Sequence, residues 1–290
     1  MSVASLERPS TVSQALSSAA QRLASADVDA PRLVAEALLA HTLDLTRAQL
    51  LAHPDQTVPP SQLTHYHTLI DRCESGEPFA YVLGHREFYG LDFGVDSRVL
   101  IPRPETEFLV ETAIEIARAR SGPLHVADIG TGSGAIAIAL AVHLPDTRLI
   151  AIDISPQAIE VARSNARLHR IVDRIEFRIG DLLAPLREPV DLICANLPYV
   201  RSGEWAHLAQ SIRRHEPAIA FNGGPDGLGL VHRLLIDAPR VIRSGGSLVL
   251  EIGGSQGEAA LELARDTFPS ARNTIKADYA GLDRLLIIQL

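Results

Sequence analysis

The chain has 290 residues, 46% of them apolar, 21% charged and 4% aromatic, which is enough for about two domains and a substantial core. That composition excludes a disordered chain, a collagen-like repeat and a disulfide-stapled miniprotein. The charge sum is 27 − 35 = −8, and Lys276 is the only lysine, so the chain lacks the broad basic face that drives duplex nucleic-acid binding.

In chain order, Met1–Pro9 has neither a basic segment nor an apolar one, and the only cysteines, Cys73 and Cys194, lie far apart. The expectation is a cytoplasmic protein with two reduced thiols. The longest apolar run, Ala135–Val142, falls well short of the ~20 residues of a membrane span. From Thr11 to Ser75 the pattern is one of short amphipathic helices. Thr11-Val-Ser-Gln14 fits a capping box, and Leu16, Ala19, Ala20 and Leu23 recur at helical spacing. Ala30–Ala40 and Ser61–Glu74 continue it, with His53-Pro54 and Pro59-Pro60 as breakers. Residues 1–77 are therefore expected to form a small helical domain. In residues 78–104, Glu87-Phe-Tyr-Gly-Leu-Asp-Phe-Gly-Val95 alternates with glycine punctuation and predicts a β-hairpin linker, whose exit is stiffened by Ile101-Pro-Arg-Pro104.

Residues 105–290 alternate strand and helix. Strands are predicted at His125–Ile129, Arg148–Ile152, Ile175–Ile179, Val190–Ala195, Ser247–Ile252, Arg272–Ala277 and Leu285–Leu290. Helices are predicted at Glu105–Arg120, Ala135–Leu144, Pro156–His169, Leu228–Val241 and Gly257–Phe268, and Ser155-Pro156 makes a good helix start. The fold class is α/β, a doubly wound and mostly parallel seven-stranded sheet with ligands at the carboxyl ends of its strands.

Four motifs sit at those ends. Asp128-Ile-Gly-Thr-Gly-Ser-Gly134 turns the first strand into a helix. Its glycines, Gly130, Gly132 and Gly134, let the backbone approach a ligand, and the helix that follows offers free amides. The spacing GxGxG is a poor dinucleotide fingerprint. Asp153 ends the second strand, where a carboxylate can accept both ribose hydroxyls of a nucleoside; the bland alternative is a helix N-terminal charge. Asp181, just past the third strand, can accept from an adenine amino group or be a plain turn residue. Asn196-Leu-Pro-Tyr199 follows the fourth strand. A planar amide or amino nitrogen is a poor nucleophile, and two acceptors aimed at its N–H bonds, the Asn196 side-chain oxygen and the Leu197 carbonyl, hold it as a methyl group arrives. Pro198 stiffens that turn and Tyr199 can pack on the planar group; otherwise these residues are an Asn-X-Pro turn.

With these motifs the chain resembles, over its whole length, the protein-(glutamine-N5) methyltransferases of peptide chain release factors. The resemblance rests also on Pro78-Phe-Ala-Tyr-Val-Leu-Gly84, Arg86-Glu-Phe88, Leu100-Ile-Pro-Arg-Pro-Glu-Thr-Glu107, His215-Glu-Pro217 and Gly223-Gly-Pro-Asp-Gly-Leu228. It implies the class I S-adenosylmethionine-dependent fold, with S-adenosyl-L-methionine as cofactor and S-adenosyl-L-homocysteine as product. It assigns Gly130, Thr131, Gly132, Ser133, Gly134, Asp153, Asp181 and Asn196 to the cofactor, and Asn196, Leu197, Pro198 and Tyr199 to substrate and catalysis. The implied substrate is the glutamine of the Gly-Gly-Gln motif of class I release factors, gripped with the help of the helical domain and hairpin. A monomer is expected, with no membrane and no stable nucleic-acid complex. There are two departures from the family pattern. Leu197 stands where the tetrad has its first proline, which leaves the turn less rigid. Leu182 stands where an aromatic often covers the adenine, so apolar packing replaces stacking at a loss of ~0.5–1.5 kcal/mol.

The remaining features carry less. His65 and His67 are two apart on a predicted helix and face different ways; with no Cys/His spacing pattern, no metal site is expected. Gly253-Gly254 reads as a turn and Arg213-Arg214 as a solvated patch. Two rival readings stay open. Adenine-N6 methylation of DNA or RNA can use the same tetrad but calls for a basic cleft. A nucleotide-binding regulator that has lost catalysis would find its hint in Leu197.

Overall fold

The computed structural model describes residues 10–290, which divide into two compact units. One holds the described residues through Gly84 together with Gln210–His215; the other holds His85–Ala209 and Glu216–Leu290.

In the first unit, strand β1 (Ser10–Thr11) leads into α1 (Val12–Ser25), followed by α2 (Pro31–Leu43), α3 (Arg47–Ala52), β2 (Thr57–Val58), α4 (Pro60–Glu74) and α5 (Phe79–Leu83). Thr11 has two jobs: it pairs with Thr57 across the antiparallel β1–β2 ribbon, and it caps α1 in the capping box with Gln14. A two-residue strand has no period to read, so this ribbon is invisible in the sequence pattern. The apolar faces of α1, α2 and α4 meet around Leu16, Leu23, Leu38, Leu39, Leu50, Tyr66 and Ile70, each under 2% exposed. The buried Tyr66 hydroxyl is satisfied by donating to the Ala35 carbonyl at 3.1 Å. Helix α5 occupies part of residues 78–104, expected as a hairpin linker, ahead of the alternating stretch itself; Gly84 ends the helix at φ 84°.

The second unit opens with the hairpin β3 (His85–Phe88) and β4 (Leu91–Gly94). Its two-residue turn, Tyr89-Gly90, has φ 52° and 73°, the geometry that matches strand twist. Then come α6 (Pro104–Arg118), β5 (His125–Ile129), α7 (Ala135–His143), β6 (Arg148–Asp153), α8 (Pro156–Leu168), β7 (Ile175–Ile179) and β8 (Val190–Ala195). The chain continues through α9 (Gln210–His215, packed in the first unit), α10 (Gly229–Asp237), β9 (Ile242–Glu251), α11 (Gly257–Thr267), β10 (Arg272–Ala277) and β11 (Asp283–Gln289). The strands form one seven-stranded sheet in the order β10-β11-β9-β8-β5-β6-β7, parallel from β9 to β7, with β11 antiparallel to both its neighbours. The predicted doubly wound α/β architecture is therefore the observed one. Strand β8 is buried at every position, as a central parallel strand covered on both faces must be. Among the described residues no helix is long and apolar enough to cross a membrane.

Candidate active site

Strands β5, β6, β7 and β8 all point their carboxyl ends at one cavity of about 640 Å³, where an open α/β sheet binds ligands. Gly130, Gly132, Asp153, Asp181, Asn196, Leu197 and Pro198 line it. The sequence-predicted residues that do not are Thr131, Ser133, Gly134 and Tyr199.

The glycine turn is pinned to the end of β6. Gly130 and Thr131 donate their amides to the Ile152 carbonyl at 2.8 and 3.0 Å. Gly132 donates to Asp153 Oδ2 at 2.9 Å. Thr131 is turned inward, its hydroxyl donating to Asp128 Oδ2 at 2.6 Å, and the same oxygen accepts the Ala137 amide at 3.1 Å. Asp128 is fully buried with Oδ1 unpartnered, and burial pushes its carboxyl up to about 7. Asp153 serves as both the helix-start charge and a cavity carboxylate. Its Oδ1 accepts the Ser155 amide at 2.9 Å, and burial raises its pKa against these backbone bonds. Asn165, on α8, locks the turn to the hairpin: Nδ2 donates to the Ser133 and Gly94 carbonyls at 2.8 and 3.0 Å, and Oδ1 accepts the Gly94 amide at 2.9 Å.

The segment Asn196–Tyr199 is held from far away in sequence. The Val200 amide donates to the Phe221 carbonyl and the Gly223 amide to the Val200 carbonyl, each at 2.9 Å. Gln256 Nε2 donates to the Tyr199 carbonyl at 3.0 Å. At Gly227, with φ 78°, a Cβ would sit 2.3 Å from both that carbonyl and Gln256 Nε2, so only glycine fits. Asn196 Nδ2 donates to Thr106 Oγ1 at 2.9 Å, and Thr106 Oγ1 donates to Glu251 Oε2 at 2.7 Å. Glu251 Oε1 is buried without a partner, and burial raises this carboxyl to about 7 against the Thr106 bond and the Arg284 charge. Tyr199 is half-buried, its hydroxyl pushed up to about 12 by burial and by the nearby Glu251 charge. The turn and the tetrad lie close together: a Cβ on Gly130 would lie 3.2 Å from Leu197 Cδ2 and 3.8 Å from the Asn196 carbonyl.

Further residues line the cavity or flank it. Asp181 is paired with Arg233, and both line the cavity. Leu182, held at φ 47°, adds an apolar floor. Glu216, almost wholly buried, binds the Arg103 guanidinium and accepts the Ile101 amide at 3.2 Å, which joins two of the motifs read in the sequence. Glu251, Gln256, Asn165 and Arg233 carried no signal in motif spacing. One was there for Thr106: it is a polar residue in the buried stripe of α6 with Leu109, Val110 and Ala113.

The N-terminal stretch, residues 14–84, matches the family described as PrmC N-terminal domain, and residues 121–235 match a methyltransferase domain. The release factor glutamine methyltransferase of Moorella thermoacetica is 43% identical over 281 residues, 96% of this chain and 98% of that protein. The chain belongs to the family of release factor glutamine methyltransferases. The family member from Nitratidesulfovibrio vulgaris is 40% identical over 95% of this chain and 94% of its own. Among solved structures, a methyltransferase from Pyrococcus furiosus shares the fold, with TM-score 0.52 at 16% identity over 78% of this chain and 98% of that one. In this methyltransferase the tetrad lies on the same cavity as the glycine turn.

Proposed function

We infer that the enzyme methylates the side-chain amide nitrogen of the glutamine in the Gly-Gly-Gln motif of class I peptide chain release factors, with S-adenosyl-L-methionine as methyl donor and S-adenosyl-L-homocysteine as product. The observation that carries this reading is that Gly130 and the Asn196-Leu197-Pro198 segment line one cavity, so near each other that a Cβ on Gly130 would fall 3.2 Å from Leu197 Cδ2, in a chain whose relatives are named release factor glutamine methyltransferases.

The residues present fit the donor. The Gly130–Gly132 backbone opens onto the cavity, with nothing within 4 Å of a Cβ built on Gly132. Asp153 keeps lone pairs for ribose hydroxyls beyond the two amides it already accepts. Leu182, Ile154 and Ile219 offer apolar surface to a planar base, and Asp181 supplies a carboxylate beside it. When bound, S-adenosylmethionine supplies a methyl group on a positively charged sulfur. The Asn196 oxygen and the Leu197 carbonyl accept the two N–H bonds of the substrate amide and hold its nitrogen in place as positive charge develops. Pro198 stiffens this turn, and Tyr199 braces it from behind. Thr131, Ser133 and Gly134 act on the cofactor indirectly, by fixing the turn. Residues 1–77 and the hairpin recognise the folded release factor. The protein works in the cytoplasm as a monomer, without a stable nucleic-acid complex.

The test is incubation with radiolabelled S-adenosylmethionine and purified release factor. Label is expected on the Gly-Gly-Gln glutamine; label in nucleic acid, or none, overturns the reading. Asn196→Ala is expected to lower the rate ~10²–10³-fold with the fold intact.

A further inference from the structure

We propose that Thr106 and Glu251 are positioning residues that lock the Asn196 side-chain amide with its oxygen, and not its nitrogen, turned toward the substrate. This rests on the reading of Asn196 as an acceptor for the glutamine amide.

The three groups come from separate places in the fold: the first turn of α6, the residue after β8 and the last residue of β9. They form a chain, Asn196 Nδ2 to Thr106 Oγ1 at 2.9 Å and Thr106 Oγ1 to Glu251 Oε2 at 2.7 Å, whose carboxyl end also faces the Tyr199 hydroxyl and the Arg284 guanidinium. Thr106 is 4% exposed and Glu251 1%, so the bond between them is closed to water, while Asn196 is half-buried and reaches the cavity. A hydroxyl has one proton, and an ionised carboxylate can only accept. The Thr106 proton therefore goes to Glu251, and what Thr106 turns toward Asn196 is a lone pair. Only the amide NH₂ can face a lone pair. Because the amide is planar, fixing its nitrogen fixes its oxygen on the opposite branch. Reversed, Asn196 would present two N–H donors to a substrate nitrogen that carries two N–H bonds of its own, leaving those bonds without their acceptor.

Packing alone does not account for Glu251. A buried carboxyl with one oxygen unpartnered destabilises a fold relative to an apolar residue of similar size. Its place at the end of a chain leading to the tetrad gives that carboxyl a purpose, which is to polarise the chain in one direction.

The experiment measures kcat and KM for release factor at about pH 8, a unit above the value near 7 of the Glu251 carboxyl, in Thr106→Val, Thr106→Ser and Glu251→Gln, each alone and combined with Asn196→Ala. Thr106→Val keeps the shape and removes the hydroxyl. It is expected to lower kcat by about 10- to 100-fold with KM for release factor little changed, and Thr106→Ser to restore the rate to within about threefold of wild type. Glu251→Gln can donate as well as accept, so it mixes the two amide orientations and gives a smaller loss. In the Asn196→Ala background neither Thr106→Val nor Glu251→Gln has any further effect, because no amide is left to orient. A structural role would persist in that background, so equal losses with and without Asn196 overturn the proposal, as does a wild-type kcat in Thr106→Val. If Thr106→Val fails to fold, Glu251→Gln in the two backgrounds decides by the same criterion. Full activity in Asn196→Ala sinks the underlying reading instead; a slow Asn196→Ala beside a fast Thr106→Val sinks this proposal alone.

Discussion

The glycine turn and the tetrad face each other across the same cavity, and each is backed by a buried carboxyl near 7 with one oxygen unpartnered, Asp128 Oδ1 under the turn and Glu251 Oε1 behind the tetrad. They differ in where their support comes from. Asp128 reaches Thr131 and Ala137, three and nine residues away; Glu251 reaches Thr106, 145 residues away, and through it Asn196. The first arrangement can form as soon as the β5–α7 turn does. The second requires α6, β8 and β9 to be in place already, so the tetrad acquires its shape only when the whole sheet is assembled.

The largest expected effect concerns the carboxyl under the turn. Asp128 rises from its ordinary 3.8 to about 7 on folding, so between those values the folded chain binds more protons than the unfolded one. Stability contributed through this group is present below about pH 4, is lost as pH climbs toward about 7, and is flat above that. For a shift of this size the change is on the order of 4 kcal/mol. The groups facing Asp128 are the Thr131 hydroxyl, the Ala137 amide, the Asp153 carboxylate and, from β8, the Cys194 thiol. In Asp128→Asn the slope across that window should shrink, so urea melts over pH 4 to 8 should show the variant gaining on wild type as pH rises. Parallel curves would refute it.

Next comes the contact between the two regions. Leu197 is 4% exposed, with Cδ2 against Gly130. Leu197→Ala should cost about 3 kcal/mol in denaturant titrations and loosen the turn and the tetrad together, raising KM for S-adenosylmethionine as well as lowering kcat. An effect on kcat alone would mean that the turn holds its shape without the tetrad. Gly227→Ala attacks the tetrad from its other side. The added methyl meets the Tyr199 carbonyl and Gln256 at positive φ, so about 2 kcal/mol of stability should go. Here kcat should suffer more than cofactor affinity, because the turn has its own local supports.

The same contrast explains what the sequence made legible. Strands β5, β7, β8 and β10 run as their apolar patterns predict, and so does the capping box of α1. Strand β9 starts at Ile242, five residues earlier than expected, because Ser244-Gly245-Gly246 reads as a turn yet is absorbed as an irregularity in the register between Val190 and Leu192. Helix α10 stops at Asp237 and tightens into a 3₁₀ turn, Ala238–Arg240, since Pro239 has no amide to continue the ladder. In the site, Gly130, Asp153 and Asn196 could be found because each sits at a strand's end or just past it. Glu251 and Gln256 could not, because their partners are fixed by strand order and not by spacing along the chain; Thr106 stood out as a polar residue in an apolar stripe, but its partners did not.

The smallest effect separates the turn's two requirements, conformation and open space. Gly132 stands at φ 54° with nothing within 4 Å of the point a Cβ would occupy, so Gly132→Ala carries only the left-handed strain of about 1 kcal/mol. The methyl points into space rather than into packing, and Gly132 lines the cavity. A thermal melt should therefore barely move, while KM for S-adenosylmethionine rises several-fold and KM for release factor stays put. Gly227→Ala should do the reverse, lowering the melting temperature more than the cofactor affinity. Should both variants lower stability and cofactor affinity in the same proportion, the turn and the tetrad would be a single cooperative unit, and the local support of Asp128 would not set the turn apart.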